Sequence, residues 1–204
     1  HITSLVGTAR QMAQRKDEWS GTLMLVAQPA EEGGGGAVSM REAGIWEKFG
    51  TPDYALALHV SSENVAGLVN VTEGSPYAGV DTVDIIIHGV GAHGAAPHAG
   101  KDPVVLGSQI VMALQTLVSR EVDPQKPAVV TVGSFVAGAK HNIISDRADL
   151  QLTVRANDER VREQLLATIE RVAVGIGKAH GLPDDMPVEV TVSEGHPETY
   201  NDPE

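Results

Sequence analysis

The sequence predicts an α/β protein in two parts, and three observations carry that prediction. Residues 2–58 read as helix, strand, helix, strand, the order that builds a parallel sheet. Around Glu73-Gly74-Ser75-Pro76 the grammar changes. From there, clean period-2 alternation and two long amphipathic patterns spell β-α-β-β-α-β, a ferredoxin-like unit with one sheet face or edge left to cover. The predicted boundaries are 1–75 for the first part and 76–194 for the second, with 195–204 leaving it again.

The elements follow in order. Ile2, Leu5, Val6, Ala9, Met12 and Ala13 recur at helical spacing. The apolar run 22–27 reads as a buried strand, a short helix near 37–43 stops at Gly44, and 54–58 is a second apolar strand ending at His59. In the second part, Val83, Ile85 and Ile87 alternate with Asp84, Ile86 and His88. Leu106, Ile110, Leu114, Leu117 and Val118 line one side of a helix that opens at Asp102-Pro103, where proline suits the first turn. Strands at 128–135 and 148–154 come next, then a helix marked by Val161, Leu165, Ile169, Val172 and Ile176 with Asn157 or Asp158 as its cap. Val188, Val190 and Val192 close the series, and 195–204 is polar and turn-rich.

Composition narrows the chemistry. At 204 residues and 42% hydrophobic, the chain can bury one good core or two small ones, and no run suits a bilayer span. A net charge of -12 disfavours a nucleic-acid partner, since phosphate binding needs clustered Lys and Arg. Eight histidines without a cysteine exclude disulfides and thiolate zinc sites in this sequence and lean the compartment towards the cytoplasm.

Three groups of residues could carry chemistry. Glu31 and Glu32 follow a predicted strand and precede four glycines, and His59 ends the next strand. The C-terminal rim of a parallel sheet is where such folds hold ligands. A carboxylate and an imidazole suit a divalent ion such as zinc, manganese or cobalt. A solvated acidic loop with a strand-capping histidine is the other reading. His93 lies in the glycine- and alanine-rich turn 89–98, where it is either a solvated loop residue or a donor to a developing oxyanion; His98 reads as structural. Arg155 alternates onto the face opposite Leu152 and Val154, either as a solvated charge or as a bidentate grip for a carboxylate. Asn142 is ambiguous by itself.

Together these segments resemble the metal-dependent amidohydrolase (aminoacylase) family of co-catalytic metallopeptidases, in the branch of hippurate hydrolases and indole-acetyl-amino-acid hydrolases. The resemblance rests on Gln-Pro-Ala-Glu-Glu-Gly-Gly-Gly-Gly-Ala at 28–37, Ala-Leu-His-Val at 57–60, Gly-Ala-His-Gly-Ala-Ala-Pro-His at 91–98 with Asp102-Pro103, and Asn-Ile-Ile at 142–144 with Arg155. It implies a parallel-sheet catalytic domain, here incomplete, with an inserted ferredoxin-like lid/dimerisation domain and 195–204 as the return. It also implies a homodimer and two divalent ions in the complete enzyme, zinc, manganese or cobalt. The implied reaction is hydrolysis of the amide bond of N-acyl amino acids by a metal-activated water. In that scheme Glu31 is the general base, Glu32 and His59 bind metal, and His93 reaches into the partner subunit to stabilise the oxyanion. Asn142 and Arg155 hold the substrate's carboxylate or carbonyl.

Departures from the pattern are expected to matter. The family's Cys-Gly-His-Asp-x-His motif supplies a bridging thiolate and another ligand, and His1 matches its final histidine. The last metal-binding histidine would follow Glu204. Ser145 stands where the family has proline. The expectation is an internal portion of a longer enzyme. Two further readings compete with it: a short-peptide carboxypeptidase, and a non-catalytic dimerisation or binding module.

Overall fold

A computed structural model describes residues 1–31 and 35–203, apart from the side chains of Ser193 and Glu194. The chain divides into two compact units, His1–Val69 and Asn70–Glu204.

In the first unit α1 spans Ile2–Gln14 with no buried residue, and the Trp19 indole donates to the Met12 carbonyl at 2.9 Å. Helix α2, Gly36–Glu42, begins after Gly35 and ends before Gly44, both with positive φ, and α3 follows at Ile45–Phe49. Gly36 is the one buried residue among the described residues of this unit, because a Cβ there would collide with the Pro29 carbonyl. The two predicted strands are corrected. Residues 22–27 and 54–58 enter no ladder, and their apolar side chains stand open, Leu25 at 43% and Leu56 at 101% exposure. A strand exists only where a neighbour takes its N–H and C=O groups, and no such neighbour is present among the described residues of this unit.

The second unit begins with β1, Gly74–Tyr77, and β2, Gly79–His88. A two-residue strand β3, Ala92–His93, leads through a glycine-rich turn to α4, Pro103–Thr116. Then come β4, Ala128–Ala137, the short β5, Ile143–Ile144, and β6, Arg147–Ala156. Helix α5, Glu159–Ala179, then β7, Val188–His196, and β8, Thr199–Asn201, complete it. The main sheet has the order β4-β6-β2-β7, every pair antiparallel, with Ile85 opposite Leu150 and Val190. This is the ferredoxin-like order the pattern predicts.

Alternation drives the packing. Val83, Ile85 and Ile87 of β2, with Leu150, Leu152 and Val154 of β6, face Leu106, Ile110 and Leu114 of α4 and Leu165 and Ile169 of α5 in one core. Asp102 caps α4 by accepting from the Val104 and Val105 amides, and Asp158 caps α5 through the Arg160 and Val161 amides. Of the two predicted candidates, the cap is therefore Asp158. Gly107, inside α4, makes room for the Phe135 ring of β4, which a Cβ would meet at 2.6 Å.

One charged group enters this core. Asp81 is fully buried on the helix-facing side of β2 and accepts two bonds from the Arg162 guanidinium, Nε at 2.6 Å and Nη2 at 2.7 Å. Glu159 takes a third Arg162 bond at 2.6 Å. These bonds hold the Arg162 guanidinium well above its ordinary range, chiefly through Asp81. Gly195 of β7 is obligatory beside the pair, since a Cβ there would strike the Asp81 carboxylate.

The segment read as merely leaving the domain is more structured than expected. β7 runs to His196, and β8 then pairs with β1 through Gly74–Asn201 and Tyr77–Thr199. Asn201 donates to the Thr72 carbonyl at 2.7 Å, and Ser75 donates to the Glu198 carboxylate. The unit's entry and exit strands are thus one hydrogen-bonded ribbon. Among the described residues, no helix is long and apolar enough to cross a membrane.

Candidate active site

In the first unit, the chain turns after residues 22–27, and Ala30 adopts φ 50, a left-handed conformation uncommon for a residue with a Cβ. Backbone strain of this kind clusters at functional sites. Glu31 comes next, half-exposed, with Oε1 3.8 Å from His59 Nε2. The His59 ring is oriented by its own backbone: Nδ1 lies 2.7 Å from the Val60 carbonyl. A carbonyl only accepts, so Nδ1 carries the hydrogen and Nε2 is the basic nitrogen of the neutral ring. A backbone carbonyl holding the far nitrogen is the usual arrangement behind a metal-ligating histidine. His1 completes the group. Its ring meets that of His59 edge-on at 5.2 Å, and its Nε2 accepts from the Val60 amide at 3.3 Å.

This donor set fits a divalent cation in kind. The set is incomplete, however. No three His, Asp or Glu side chains converge as a metal cluster among the described residues. Glu32, the predicted ligand, lies outside the described residues.

In the second unit, His93 and Asn142 come together. His93 is the last residue of β3, opposite Ile143 of β5. The Gly94 amide donates to the Asn142 carbonyl at 2.8 Å, and a Cβ on Gly94 would stand 3.1 Å from that carbonyl's carbon and oxygen. Glycine eases this close approach, since a Cβ would be tightly packed against Asn142. The Val90–Lys101 bridge closes the turn behind His93, and Lys101 Nζ anchors it to the His180 carbonyl at 3.0 Å. An open cleft beside the turn is lined by Pro97, Val104, Lys140, His141 and Ile143. Ser145, in place of the expected proline, bonds with its hydroxyl to the Arg147 carbonyl at 2.9 Å and amide at 3.2 Å, so the turn closes without proline.

Arg155 does not join them. It stands exposed on the open sheet face between Val80 and Val129, with no ion-pair partner among the described residues. His93 follows the other end of β2, where His88 pairs with Arg147. Eight residues of strand separate Arg147 from Arg155, roughly 26 Å at the usual rise. Alternation alone identifies Arg155's face and says nothing about which end of the sheet it shares with other residues. Asp81 and Arg162 are the charged pair that sequence reasoning missed; an aspartate in phase with Val83, Ile85 and Ile87 was the available signal.

The chain thus combines a ferredoxin-like unit hung on one paired ribbon with a separate unit that groups a carboxylate with imidazoles. Residues 78–179 match the peptidase dimerisation domain family. The chain belongs to the M20 family of metallopeptidases, and residues 78–179 are its dimerisation domain. It is similar to the hippurate hydrolase of Campylobacter jejuni, 38% identical over all of this chain and 51% of that protein. It is likewise similar to thermostable carboxypeptidase 1 of Saccharolobus solfataricus, 35% identical over all of this chain and 51% of the relative. A solved structure of the Bacillus subtilis YXEP protein, described as a dinuclear metal binding peptidase, aligns at TM-score 0.74 and 29% identity, covering all of this chain and 49% of that one. The chain spans about half the length of the curated relatives it matches.

Proposed function

We propose that the whole protein is a metal-dependent amidohydrolase that cleaves the amide bond of N-acyl amino acids, with this chain supplying its proton shuttle and its lid. The observation that carries the reading is Glu31 held 3.8 Å from His59 Nε2, with the other His59 nitrogen tied to a backbone carbonyl. Glu32 and His59 would bind metal, two ions of zinc, manganese or cobalt serving the complete site. When bound, such ions polarise the scissile carbonyl and acidify water. Glu31 takes a proton from the attacking water and delivers it to the leaving amine, work that suits a half-exposed carboxylate. His93 donates a hydrogen bond to the carbonyl oxygen as negative charge develops there. Asn142 holds the carbonyl or carboxylate, and Arg155 grips the substrate's carboxylate with two parallel bonds.

The separation of Arg155 from His93 supports a homodimer. Side chains at opposite ends of one sheet cannot hold one small substrate, but Arg155 of one subunit and His93 of the partner subunit can. The surface best suited to pairing is the β4 edge with the outward face of α4. No charged residue occurs in 103–119 or 127–139, and Val105, Met112, Val129 and Val136 are exposed there. A long edge strand without charge is an open template for another strand. In the proposed organisation 1–75 is catalytic, 76–194 is the inserted lid and 195–204 returns. The β1–β8 ribbon supports this, because an inserted domain needs its two ends side by side. A chain without cysteine suits a cytoplasmic setting.

The carboxypeptidase relative favours a second reading, in which the same machinery cleaves short peptides. Comparing rates on N-acetyl amino acids and on dipeptides decides between the two. The decisive test of the leading reading is Glu31→Gln in the full-length protein. Metal content by elemental analysis should be unchanged while turnover falls about 100- to 10,000-fold, the range for loss of a general base. Retained turnover would remove Glu31 from the proton path.

A further inference from the structure

The turn that carries His93 also settles which of its nitrogens bears the hydrogen. The Ala95 amide donates to His93 Nδ1 at 3.1 Å. A backbone amide can only donate, so Nδ1 must present its lone pair, and a neutral imidazole then has its single hydrogen on Nε2. Nε2 is the ring's other nitrogen, and the residue is exposed. His59 is held the opposite way, with its Nδ1 against a carbonyl. The chain therefore sets one histidine as a base or ligand and the other as a donor, each by one local backbone group.

The turn is over-determined at this point. The Ala96 amide donates to the His93 carbonyl at 2.8 Å, and the Gly94 amide donates to the Asn142 carbonyl at 2.8 Å. The Ala95 amide is consequently fixed between two bonded neighbours. Its direction depends on Gly94, whose missing Cβ lets the backbone lie against Asn142.

We propose that residues 93–96 form a backbone clamp that holds neutral His93 as the Nε2-protonated tautomer, a committed hydrogen-bond donor, with Gly94 as the positioning residue. The tautomer stands on geometry alone; its effect on turnover rests on the reading of His93 as oxyanion donor given above.

The test has two arms. In 15N-histidine-labelled chain at a pH where the ring is neutral, long-range 1H–15N correlation should show a pyridine-type Nδ1 and a pyrrole-type Nε2 for His93, assigned by the signals lost in His93→Gln. A pyrrole-type Nδ1, or an even mixture of tautomers, overturns the clamp. In the full-length protein, Gly94→Ala should lower kcat about 10-fold or more with little change in KM, a share of the about 100- to 1,000-fold that loss of an oxyanion donor costs. The His93 resonances should move towards mixed tautomers in the same variant. Full turnover with an unshifted tautomer in Gly94→Ala overturns Gly94 as the positioning residue. Should the wild-type tautomer be as stated while His93→Gln turns over normally, the clamp holds and the oxyanion reading fails.

Discussion

Residues 22–27 and the β2 strand both carry apolar side chains that call for burial, yet they end in opposite environments. Ile85 is 0% exposed, between β6 and β7, whereas Leu25 is 43% exposed and pairs with nothing among the described residues. The difference lies in long-range company. β2 finds two antiparallel neighbours and two helices within its own unit, so its ladder partners and its inward side chains' company are all there. The apolar runs 22–27 and 54–58 of the first unit have the side chains of a buried parallel sheet without the sheet. An apolar run specifies that a strand wants burial, and other parts of the fold decide whether it gets it.

The largest test of this contrast is a pair of truncations. Ile85→Ala should destabilise the chain by about 2–5 kcal/mol, the range for a large aliphatic side chain removed from a packed core. Leu56→Ala, at a fully exposed position, should change it by no more than about 0.5 kcal/mol. Urea unfolding followed by far-UV circular dichroism measures both. In the full-length protein the proposal expects Leu56→Ala to become costly as well, because 54–58 would then be a sheet strand. A full-length Leu56→Ala as harmless as in the chain alone would show that the first unit's exposed apolar residues have no sheet to join.

Much of the second unit was legible for the same reason that it is stable. Its strands alternate cleanly, its helices carry apolar stripes, and Asp102 and Asp158 announce two helix starts. What escaped is non-local or too short to be periodic. Asp81 is a buried acid only because Arg162, 81 residues later, arrives on α5 to pair with it. The two-residue strands β3 and β5 have no period to read, yet they join His93 to Asn142. In the first unit Glu31 lies 3.8 Å from His59. The strands themselves could not form on local pattern alone.

A second, smaller effect compares the two helices of the stable unit. Outward positions on α5 are densely charged, with Glu163, Glu170 and Arg171 among them, while α4 offers Val104, Val105, Ser108 and Met112. In the proposed homodimer, a chain with net charge -12 would bring two copies together where that charge is absent. Met112→Glu or Val129→Lys should weaken dimerisation about 10- to 100-fold, or roughly 1.4–2.8 kcal/mol, as read by sedimentation velocity over a dilution series. Glu163→Lys on α5 serves as the control and should leave the dimer intact. Equal effects at both helices would dissociate the dimer surface from α4 and β4.

The smallest expected effect separates the units by pH. Asp158 is held below the ordinary carboxylate range, first by its bond with the Lys126 ammonium at 2.7 Å and then by the Val161 and Arg160 amides it caps. Lys126 is raised in turn, chiefly by that bond to Asp158. Because the folded carboxyl is the stronger acid, its stabilisation is complete above the unfolded value of about 3.9 and is lost as pH falls through the folded value. On the basic side the sign reverses. The folded ammonium is the weaker acid, so its share is present below about 10.4 and is lost as pH rises through the raised value. Asp158→Asn keeps a capping side chain and removes only the charge. The stability gap between wild type and variant should therefore be constant near neutrality, close at both extremes and shrink with added salt, since the pair is exposed at the lysine end. The pair joins residues 32 apart and requires the folded second unit. The Arg15–Glu18 pair of the first unit spans three residues and forms within a single turn. Neutralising Glu18 should accordingly leave the acid limb of the unfolding curve where it is, and a shift as large as that of Asp158→Asn would mean that the first unit folds cooperatively with the second.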